Sequence, residues 1–161
     1  MKIYIDFDGV ILDTDTTIDN IIKDKNIDKK EYIRNCDWDS LLNNTDVINN
    51  SINYLRESKL DVNLLSKIST LEEGIAKVKY LRNNNIDMNI NLVPTKISKS
   101  DIVSAKGNIL IDDKVYNLDE WNSKGGISIF FNKDNNDIDI YGKINTKYKK
   151  ISDLSMLLND K

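Results

Sequence analysis

The chain has 161 residues, enough for one domain with its own hydrophobic core. Its composition, 40% hydrophobic and 30% charged, is typical of a soluble globular protein, and a net charge of −3 disfavours a nucleic-acid or anionic-membrane surface. Histidine is absent and Cys36 is the single cysteine. Histidine-based catalysis is therefore excluded, and a structural zinc site is disfavoured.

The sequence indicates neither a signal peptide nor a membrane span. No apolar run approaches the roughly 20 residues that a span needs, and the apolar start is interrupted at Asp6. A lone cysteine cannot form an intrachain disulfide. We expect a cytoplasmic protein that binds neither nucleic acid nor membrane, and the sequence leaves its oligomeric state open, a homodimer included.

Short apolar runs along the chain predict the strands of a parallel sheet. Each is rich in Ile, Val, Leu or Tyr and lies near a polar or turn signal. Helical patterns alternate with them, which is typical of a Rossmann-like α/β fold with helices on both faces of the sheet. The predicted strands are Lys2–Asp6, Asp61–Leu65, Asp87–Leu92, Asn108–Ile111 and Gly126–Phe131.

The connection between the first two predicted strands is unusually long. It spans more than fifty residues, whereas a crossover needs only about a dozen. It contains three helical patterns, TTIDNIIKDK, KKEYIRNCDWDSLL and DVINNSINYLRES. We predict a small helical cap at residues 16–58, over the carboxyl edge of the sheet, with residues 1–15 and 59–161 forming the core domain. A single crossover helix with irregular loops is the alternative.

Helices are also predicted in the second half of the chain. In STLEEGIAKVKYLRNNN, Ser69 and Glu72 match a capping box. The apolar residues of that segment recur at helical spacing, and its asparagine run is the predicted end. NLDEWNSKGG predicts a helix that ends at its glycines, and ISDLSMLLND predicts a closing helix that begins at Ser152 or Asp153. The segment NKDNNDIDIYGKINTKYKK is left open as a hairpin, a loose loop or a contact surface. The apolar residues of the first helix are Leu71, Ile75, Val78 and Leu81.

Two acidic pairs follow predicted strands. Asp6 and Asp8 follow the first strand, and Asp112 and Asp113 follow the apolar run NILI. In a parallel sheet both pairs lie at the same edge, where clustered carboxylates repel one another unless cations compensate. Oxygen ligands without His or Cys suit Mg²⁺. Helix capping would account for one isolated pair, but two pairs together favour a magnesium–phosphate site.

The segment IDFDGVILDT resembles the first motif of the haloacid dehalogenase (HAD) superfamily, Asp-x-Asp-Gly after an apolar strand. The resemblance implies that Asp6 is a nucleophile that takes the phosphoryl group as an aspartyl-phosphate, and that Asp8 is the general acid and base. The spacing suits this chemistry, because side chains two positions apart near a strand end point the same way. Gly9 then allows a tight turn.

The later motifs of this superfamily are matched in order. The resemblance implies that Ser66 in DVNLLSKIS is the second-motif hydroxyl that holds a phosphoryl oxygen, although an ordinary turn residue is the alternative. Lys67 beside it is a candidate substrate-binding residue. The resemblance also implies a third-motif lysine that neutralises the nucleophile and the developing phosphoryl charge; we predict Lys99 for this role, with Lys96 as the second choice and Lys106 as a further alternative.

The fourth motif is the acidic pair in ILIDD. The resemblance implies that Asp113 is the direct magnesium ligand, with Asp112 beside it or acting through water. Asp6 and the backbone carbonyl of Asp8 complete the predicted metal site.

Within the superfamily, the chain is most similar to the cytosolic 5′(3′)-deoxyribonucleotidases and their small bacterial relatives. This implies magnesium-dependent hydrolysis of a nucleoside monophosphate. Trp38, Tyr32 and Tyr54 in the predicted cap could stack on a base or form the core of the cap, and Trp38 is the candidate substrate-binding residue. The alternatives are another phosphomonoester, such as a sugar phosphate, or a catalytically silent relative that binds a phosphorylated ligand or a partner. Because Asp6 and Asp8 of the first motif are both intact, a catalytically silent protein is disfavoured.

Overall fold

The computed structural model describes residues 1–158, and its centre is one six-stranded parallel sheet. The strands are β1 Ile3–Ile5, β2 Val62–Ile68, β3 Ile90–Pro94, β4 Ile109–Asp112, β5 Ile127–Phe131 and β6 Lys149–Ile151. Their order is β3-β2-β1-β4-β5-β6, and every neighbouring pair is parallel. The predicted Rossmann-like α/β fold is confirmed. The sequence analysis missed β6, whose residues KKI include only one buried side chain, Ile151.

Eight helices are described in residues 1–158. Four of them lie between β1 and β2: α1 Thr14–Lys23, α2 Lys29–Asn35, α3 Trp38–Asn43 and α4 Ser51–Glu57. The others are α5 Leu71–Asn83, α6 Lys99–Ile102, α7 Val115–Ser123 and α8 Ser155–Leu158. None of these helices combines the length and the apolar character that a bilayer crossing demands.

The sheet has a hydrophobic core on each of its faces. Side chains alternate along β4, so that Ile109 and Ile111 join one buried cluster while Leu110 joins the other. The larger cluster also contains buried residues of α1, α3 and α4, and the smaller one contains Trp121 of α7. Helices α1, α3 and α4 are thus packed on the same continuous core as the sheet, and the partly buried Tyr32 and Ile33 of α2 pack against it.

Two short segments close the base of the region that contains α1–α3. Leu12 and Val47 form an antiparallel bridge, and the backbone amide of Ile48 donates to the carbonyl of Ile11 at 2.9 Å. The segment that leads from the sheet into α1 and the segment that returns before α4 therefore lie side by side. The division into a core and a cap at residues 16–58 stays a prediction.

Helix α5 begins and packs differently from the prediction. Its N-cap is Thr70, whose side chain accepts from the amide of Glu73 at 3.2 Å, so the predicted box of Ser69 and Glu72 is wrong by one residue. The predicted apolar face is also wrong in part: Leu71 is 70% exposed and Ile75 is 51% exposed. Their places on the buried face are taken by Glu73 and Lys77.

The segment left open by the sequence is a narrow loop that leads into β6. Ile138 and Ile144 form an isolated antiparallel bridge across it. The carboxylate of Asp139 accepts from the amides of Val115, Tyr141 and Lys143. These bonds tie the loop to the first turn of α7 and place Tyr141 beside the carboxyl edge of the sheet.

The closing helix begins near the predicted position. Asp153 accepts from the backbone amide of Ser155 at 2.8 Å, at the start of α8. The predicted end of that helix, at Asn159 and Asp160, lies outside the described residues.

Candidate active site

The carboxyl ends of β1 and β4 bring the two acidic pairs together. The strands pair with Ile5 opposite Ile111, and the Asp6 amide donates to the Ile111 carbonyl at 3.0 Å. One carboxylate oxygen from each of Asp6, Asp112 and Asp113 lies within 4.8 Å of the others, and all three residues are buried. We call these three residues the acidic cluster.

Gly9 lets the turn after β1 pass directly against this cluster. Its φ is +81°, in the left-handed region that favours glycine, and a Cβ at this position would overlap Oδ2 of Asp113. The Gly9 of the first motif is thus required by the close approach of the turn to Asp113.

Lys99 compensates part of the negative charge of the cluster. Its Nζ lies 2.6 Å from Oδ2 of Asp112 and 3.1 Å from Oδ1 of Asp6, and the side chain is buried. Burial disfavours the ammonium, but Asp112 and then Asp6 outweigh it, so the pKa of Lys99 is raised. The alternative lysines, Lys96 and Lys106, are exposed.

Asp112 and Asp113 have very different surroundings. Asp112 accepts from Lys99, from the backbone amide of Lys114 at 3.0 Å and from the side-chain amide of Asn117. In contrast, Oδ1 of Asp113 is buried without a hydrogen-bond partner in residues 1–158. A buried carboxylate oxygen without a partner is costly unless something else binds it.

The pKa values in the cluster reflect this difference. Burial, and after it the charges of Asp6 and Asp112, raise the pKa of Asp113 well above its usual range, with Lys114 opposing them. Burial and the charge of Asp112 raise the pKa of Asp6 to about 6. Burial would also raise the pKa of Asp112, but Lys99 overcomes it and lowers that pKa. The oxygen donors and the surplus negative charge fit a hard divalent cation.

Asp8 is held by a residue that the sequence analysis missed. Lys77 of α5 is completely buried, and its Nζ lies 2.8 Å from Oδ2 of Asp8, 3.0 Å from Oγ of Ser66 and 2.7 Å from Oε2 of Glu73. Ser66 is also fully buried and contacts this ammonium rather than the open space above the sheet edge. The only sequence signal for Lys77 is a Glu–Lys spacing of four, which usually marks a solvent-facing helix pair.

Lys114 is the second cation that the sequence analysis missed. It directly follows the acidic pair, and its Nζ lies 3.8 Å from Oδ2 of Asp15. Burial would lower the pKa of Lys114, but the charges of four surrounding carboxylates raise it strongly. Asp113 has the largest effect of the four. The position of Lys114 after ILIDD is the signal that could have identified it.

A cleft of about 460 Å³ opens over these groups. Its floor contains Asp6, Asp8 and Lys99, and its walls combine residues of α1–α3 with residues from β2, α7 and the loop before β6. The cations that line it besides Lys99 are Lys29, Lys30, Lys67 and Lys114, and its aromatic side chains are Trp38, Tyr116 and Tyr141.

The predicted substrate-binding residues occupy distinct parts of this cleft. The Lys67 ammonium lies 5.1 Å from the ring centroid of Tyr116 and makes no ion pair within residues 1–158. Trp38 is 5% exposed, and its indole N–H donates to the Ile33 carbonyl at 3.0 Å. Trp38 therefore packs mainly in the hydrophobic core of the helical region, although it also lines the cleft. Tyr32 and Tyr54 pack against the core outside the lining.

Known proteins resemble this chain in three-dimensional structure but not in sequence. No protein-family model matches the chain, and no curated protein matches it. Three solved structures resemble it at 13–14% identity. They are the haloacid dehalogenase-like family protein SP0104 of Streptococcus pneumoniae, the predicted HAD hydrolase YfnB of Bacillus subtilis with magnesium bound, and a predicted phosphatase of Clostridium difficile.

The likeness extends over most of each structure. For YfnB the TM-score is 0.60, with 98% of this chain and 96% of that chain covered. For SP0104 the TM-score is 0.55, and the match covers 81% of this chain and 83% of SP0104. For the Clostridium difficile protein the TM-score is 0.52, and the match covers 96% of this chain and 89% of that protein. The chain therefore has the fold of HAD-like hydrolases.

Proposed function

We propose that this protein is a magnesium-dependent phosphomonoester hydrolase that works through an aspartyl-phosphate on Asp6. One observation carries the proposal: in a HAD-like fold, buried Asp6 lies at the end of the central strand, beside Asp112, Asp113 and the Lys99 ammonium. Such a group of carboxylates, whose negative charge the lysines beside it compensate only in part, suits the binding of a cation and a phosphoryl group.

The residues fit Mg²⁺. Asp6 and Asp113 would hold the ion through carboxylate oxygens, since Oδ1 of Asp113 is buried without a partner in residues 1–158. Asp112, whose oxygens are already bonded, would support the site from beside it. The backbone carbonyl of Asp8 is a further candidate ligand. When bound, the ion would neutralise charge on the phosphoryl oxygens.

The residues then divide the reaction into two steps. A carboxylate oxygen of Asp6 attacks phosphorus, the bond to the ester oxygen breaks, and a proton from Asp8 goes to the leaving oxygen. In the second step Asp8 takes a proton from a water molecule whose oxygen attacks phosphorus. The bond between phosphorus and Asp6 breaks, and inorganic phosphate is released. Lys99 and Lys67 supply positive charge beside the phosphoryl group throughout.

Nucleoside monophosphates are the substrate class that we propose. The cleft volume suits a small organic phosphate. The Tyr116 and Tyr141 rings lie with centroids 6.1 Å apart, at an angle of 31°, in the wall of the cleft. Tyr141 is 65% exposed, which leaves the ring available to a base that enters above the phosphate.

Tyr141→Ala is expected to weaken nucleotide binding selectively. Stacking of one base on an aromatic ring contributes about 1–3 kcal/mol, so KM for a nucleoside monophosphate should rise about tenfold. KM for ribose 5-phosphate, which has no base, should stay unchanged. The matched control is Ile144→Ala, because Ile144 is 57% exposed in the same loop and lies outside the cleft. An equal rise for both substrates would contradict base stacking on Tyr141.

A phosphate-release screen tests the proposed function. We expect release from nucleoside monophosphates with Mg²⁺ and none with a chelator. Release from sugar phosphates alone would overturn the substrate class and leave the mechanism standing. If no phosphomonoester is hydrolysed, a silent relative that binds a phosphorylated ligand becomes the better account.

A further inference from the structure

We infer that Tyr116 is a positioning residue for Lys67: its ring holds the Lys67 ammonium in the wall of the cleft without neutralising it, so that the ammonium is available to the phosphoryl group. The inference deepens the proposed function and rests on it, because it concerns how the phosphoryl group is bound in this cleft. No motif of the sequence indicates a contact between these two residues.

The Lys67 ammonium is accessible and has no carboxylate partner. Lys67 lines the cleft, and its Nζ is not buried and makes no hydrogen bond or ion pair within residues 1–158. Its close contact is with the Tyr116 ring, whose centroid lies 5.1 Å away. A cation within about 6 Å of an aromatic ring is attracted by the face of the ring. Such a contact holds the ammonium without a negative charge that a phosphate would have to displace.

Lys67 lies within electrostatic range of the acidic cluster. It is near the carboxyl end of β2, the strand that pairs with β1. Burial lowers the pKa of Lys67, and the charge of Glu120 opposes this effect. The charges of Lys99, Asp112 and Asp6 act on that pKa as well. The ammonium is therefore close enough to attract a phosphoryl group that is bound at Asp6.

Tyr116 is held in place at the start of α7. Its neighbour Val115 donates its amide to the loop before β6, and its neighbour Asn117 donates to the Asp112 carboxylate. The Tyr116 side chain lies half-buried in the wall of the cleft. In contrast, Lys67 carries its ammonium on a flexible four-carbon stem. The ring is thus the fixed partner of the contact and the ammonium is the mobile one.

Glu120 of α7 is the competing partner of the ammonium. It has the largest effect of the carboxylates on the pKa of Lys67, and its Oε2 is buried without a hydrogen-bond partner in residues 1–158. Within the described part of the chain the two side chains form no ion pair, and the ammonium lies over the Tyr116 ring instead. Without the ring, the ammonium would lose this position, and Glu120 would compete with the phosphoryl group for it.

A double-mutant cycle on the binding of inorganic phosphate tests the inference. Phosphate has no base, so stacking of a base on the tyrosines of the cleft does not enter the measurement. Calorimetric titration in the presence of Mg²⁺ gives the Kd of phosphate for the wild-type protein, Tyr116→Leu, Lys67→Met and the double variant. Tyr116→Phe keeps the ring. Circular dichroism verifies the fold, and Tyr116→Met takes the place of Tyr116→Leu in case the leucine variant does not fold.

The expected result depends on the presence of Lys67. Tyr116→Leu should raise the Kd of phosphate about tenfold, as for loss of a partly desolvated cation–π contact, and Lys67→Met should raise it at least as much. In the Lys67→Met background the same tyrosine replacement should change Kd less than about twofold. Tyr116→Phe should bind phosphate as the wild-type protein does.

The matched control is Tyr148→Leu. The Lys147 ammonium lies 5.9 Å from the Tyr148 ring, and both residues are outside the cleft. Loss of this second contact between a lysine and a tyrosine should leave the Kd of phosphate unchanged.

The outcomes for the two proposals are distinguishable. Equal weakening by Tyr116→Leu with and without Lys67, no weakening, or the same loss in Tyr116→Phe would overturn the inference while the wild-type protein remains a phosphatase. If the wild-type protein binds phosphate with the expected dependence on the ring but hydrolyses no phosphomonoester, the proposed hydrolysis fails and the role of Tyr116 stands. If the wild-type protein binds no phosphate, the inference fails.

Discussion

Asp6→Asn is expected to abolish turnover, by about 10⁴-fold or more in kcat, as loss of a covalent nucleophile does. An amide cannot take the phosphoryl group as an acyl-phosphate. The fold should survive, because Oδ1 of Asp6 accepts from the Phe7 amide at 2.9 Å and an asparagine oxygen can accept the same bond. Lys99 also keeps its bond to Asp112. Phosphate release measures the activity, and thermal unfolding verifies the fold.

The matched control is Asp101→Asn. Asp101 is an exposed aspartate on α6, two residues from Lys99 and outside the cleft. Its replacement should leave kcat unchanged. Undiminished phosphate release by Asp6→Asn would refute the nucleophile assignment.

Asp113→Asn is expected to remove the response to Mg²⁺ and most of the activity. In the wild-type protein, Mg²⁺ should raise the melting temperature, because an ion that binds only the folded state stabilises it. Without the charge and the free oxygen of Asp113, that rise should disappear. Thermal unfolding with and without Mg²⁺ measures this effect independently of catalysis. A full magnesium-dependent rise in the variant would contradict the metal assignment.

In the absence of Mg²⁺, the same variant should be more stable than the wild-type protein. Burial raises the pKa of Asp113 above its unfolded value of 3.8, so its contribution to stability is present at low pH and is lost as pH rises. Above the unfolded pKa, burying this carboxyl group is therefore unfavourable, whereas an asparagine at the same position stays neutral. Each kcal/mol gained raises the melting temperature by about 2–4 °C for a chain of this size. The gain should be absent at low pH and should grow as the pH rises above the unfolded pKa of 3.8.

Asp112→Asn is the matched control, because this variant is expected to be less stable than the wild-type protein without Mg²⁺. Lys99 lowers the pKa of Asp112 against the effect of burial, so its ionised form stabilises the fold at neutral pH. Its replacement should lower the melting temperature in the absence of Mg²⁺, because Lys99 loses its closest carboxylate. This account of the cluster would be contradicted if, without Mg²⁺, Asp113→Asn lowered the melting temperature or Asp112→Asn raised it.

The sheet and the acidic strand ends could be predicted from the sequence because their signals are local. Apolar runs mark β1 and β4, and the carboxylates follow them at once. Parallel strands then bring Asp6 and Asp113 together without further information. The role of Ser66 stays a prediction, since the structure places its hydroxyl against a buried ammonium.

The face of α5 could not be predicted for a physical reason. Periodicity favours burial of Leu71 and Ile75, yet the helix buries Glu73 and Lys77. That burial is stabilised by a contact with Asp8, 69 positions away in the chain, and no local pattern reports such a contact.

The same limit applies to Tyr141. It reaches the cleft because Asp139 ties the loop before β6 to the first turn of α7, an arrangement that depends on tertiary contacts.

The most direct test of covalent catalysis is to trap the phosphorylated side chain. Asp8→Asn should let p-nitrophenyl phosphate react with Asp6 but slow the attack of water, so that the aspartyl-phosphate accumulates. Acid quenching, borohydride reduction and peptide mass spectrometry then locate it, because reduction converts an acyl-phosphorylated aspartate to homoserine. We predict homoserine at position 6 with Mg²⁺ and none with a chelator. Release of p-nitrophenolate without homoserine at position 6, or with homoserine at another carboxylate, would contradict the account.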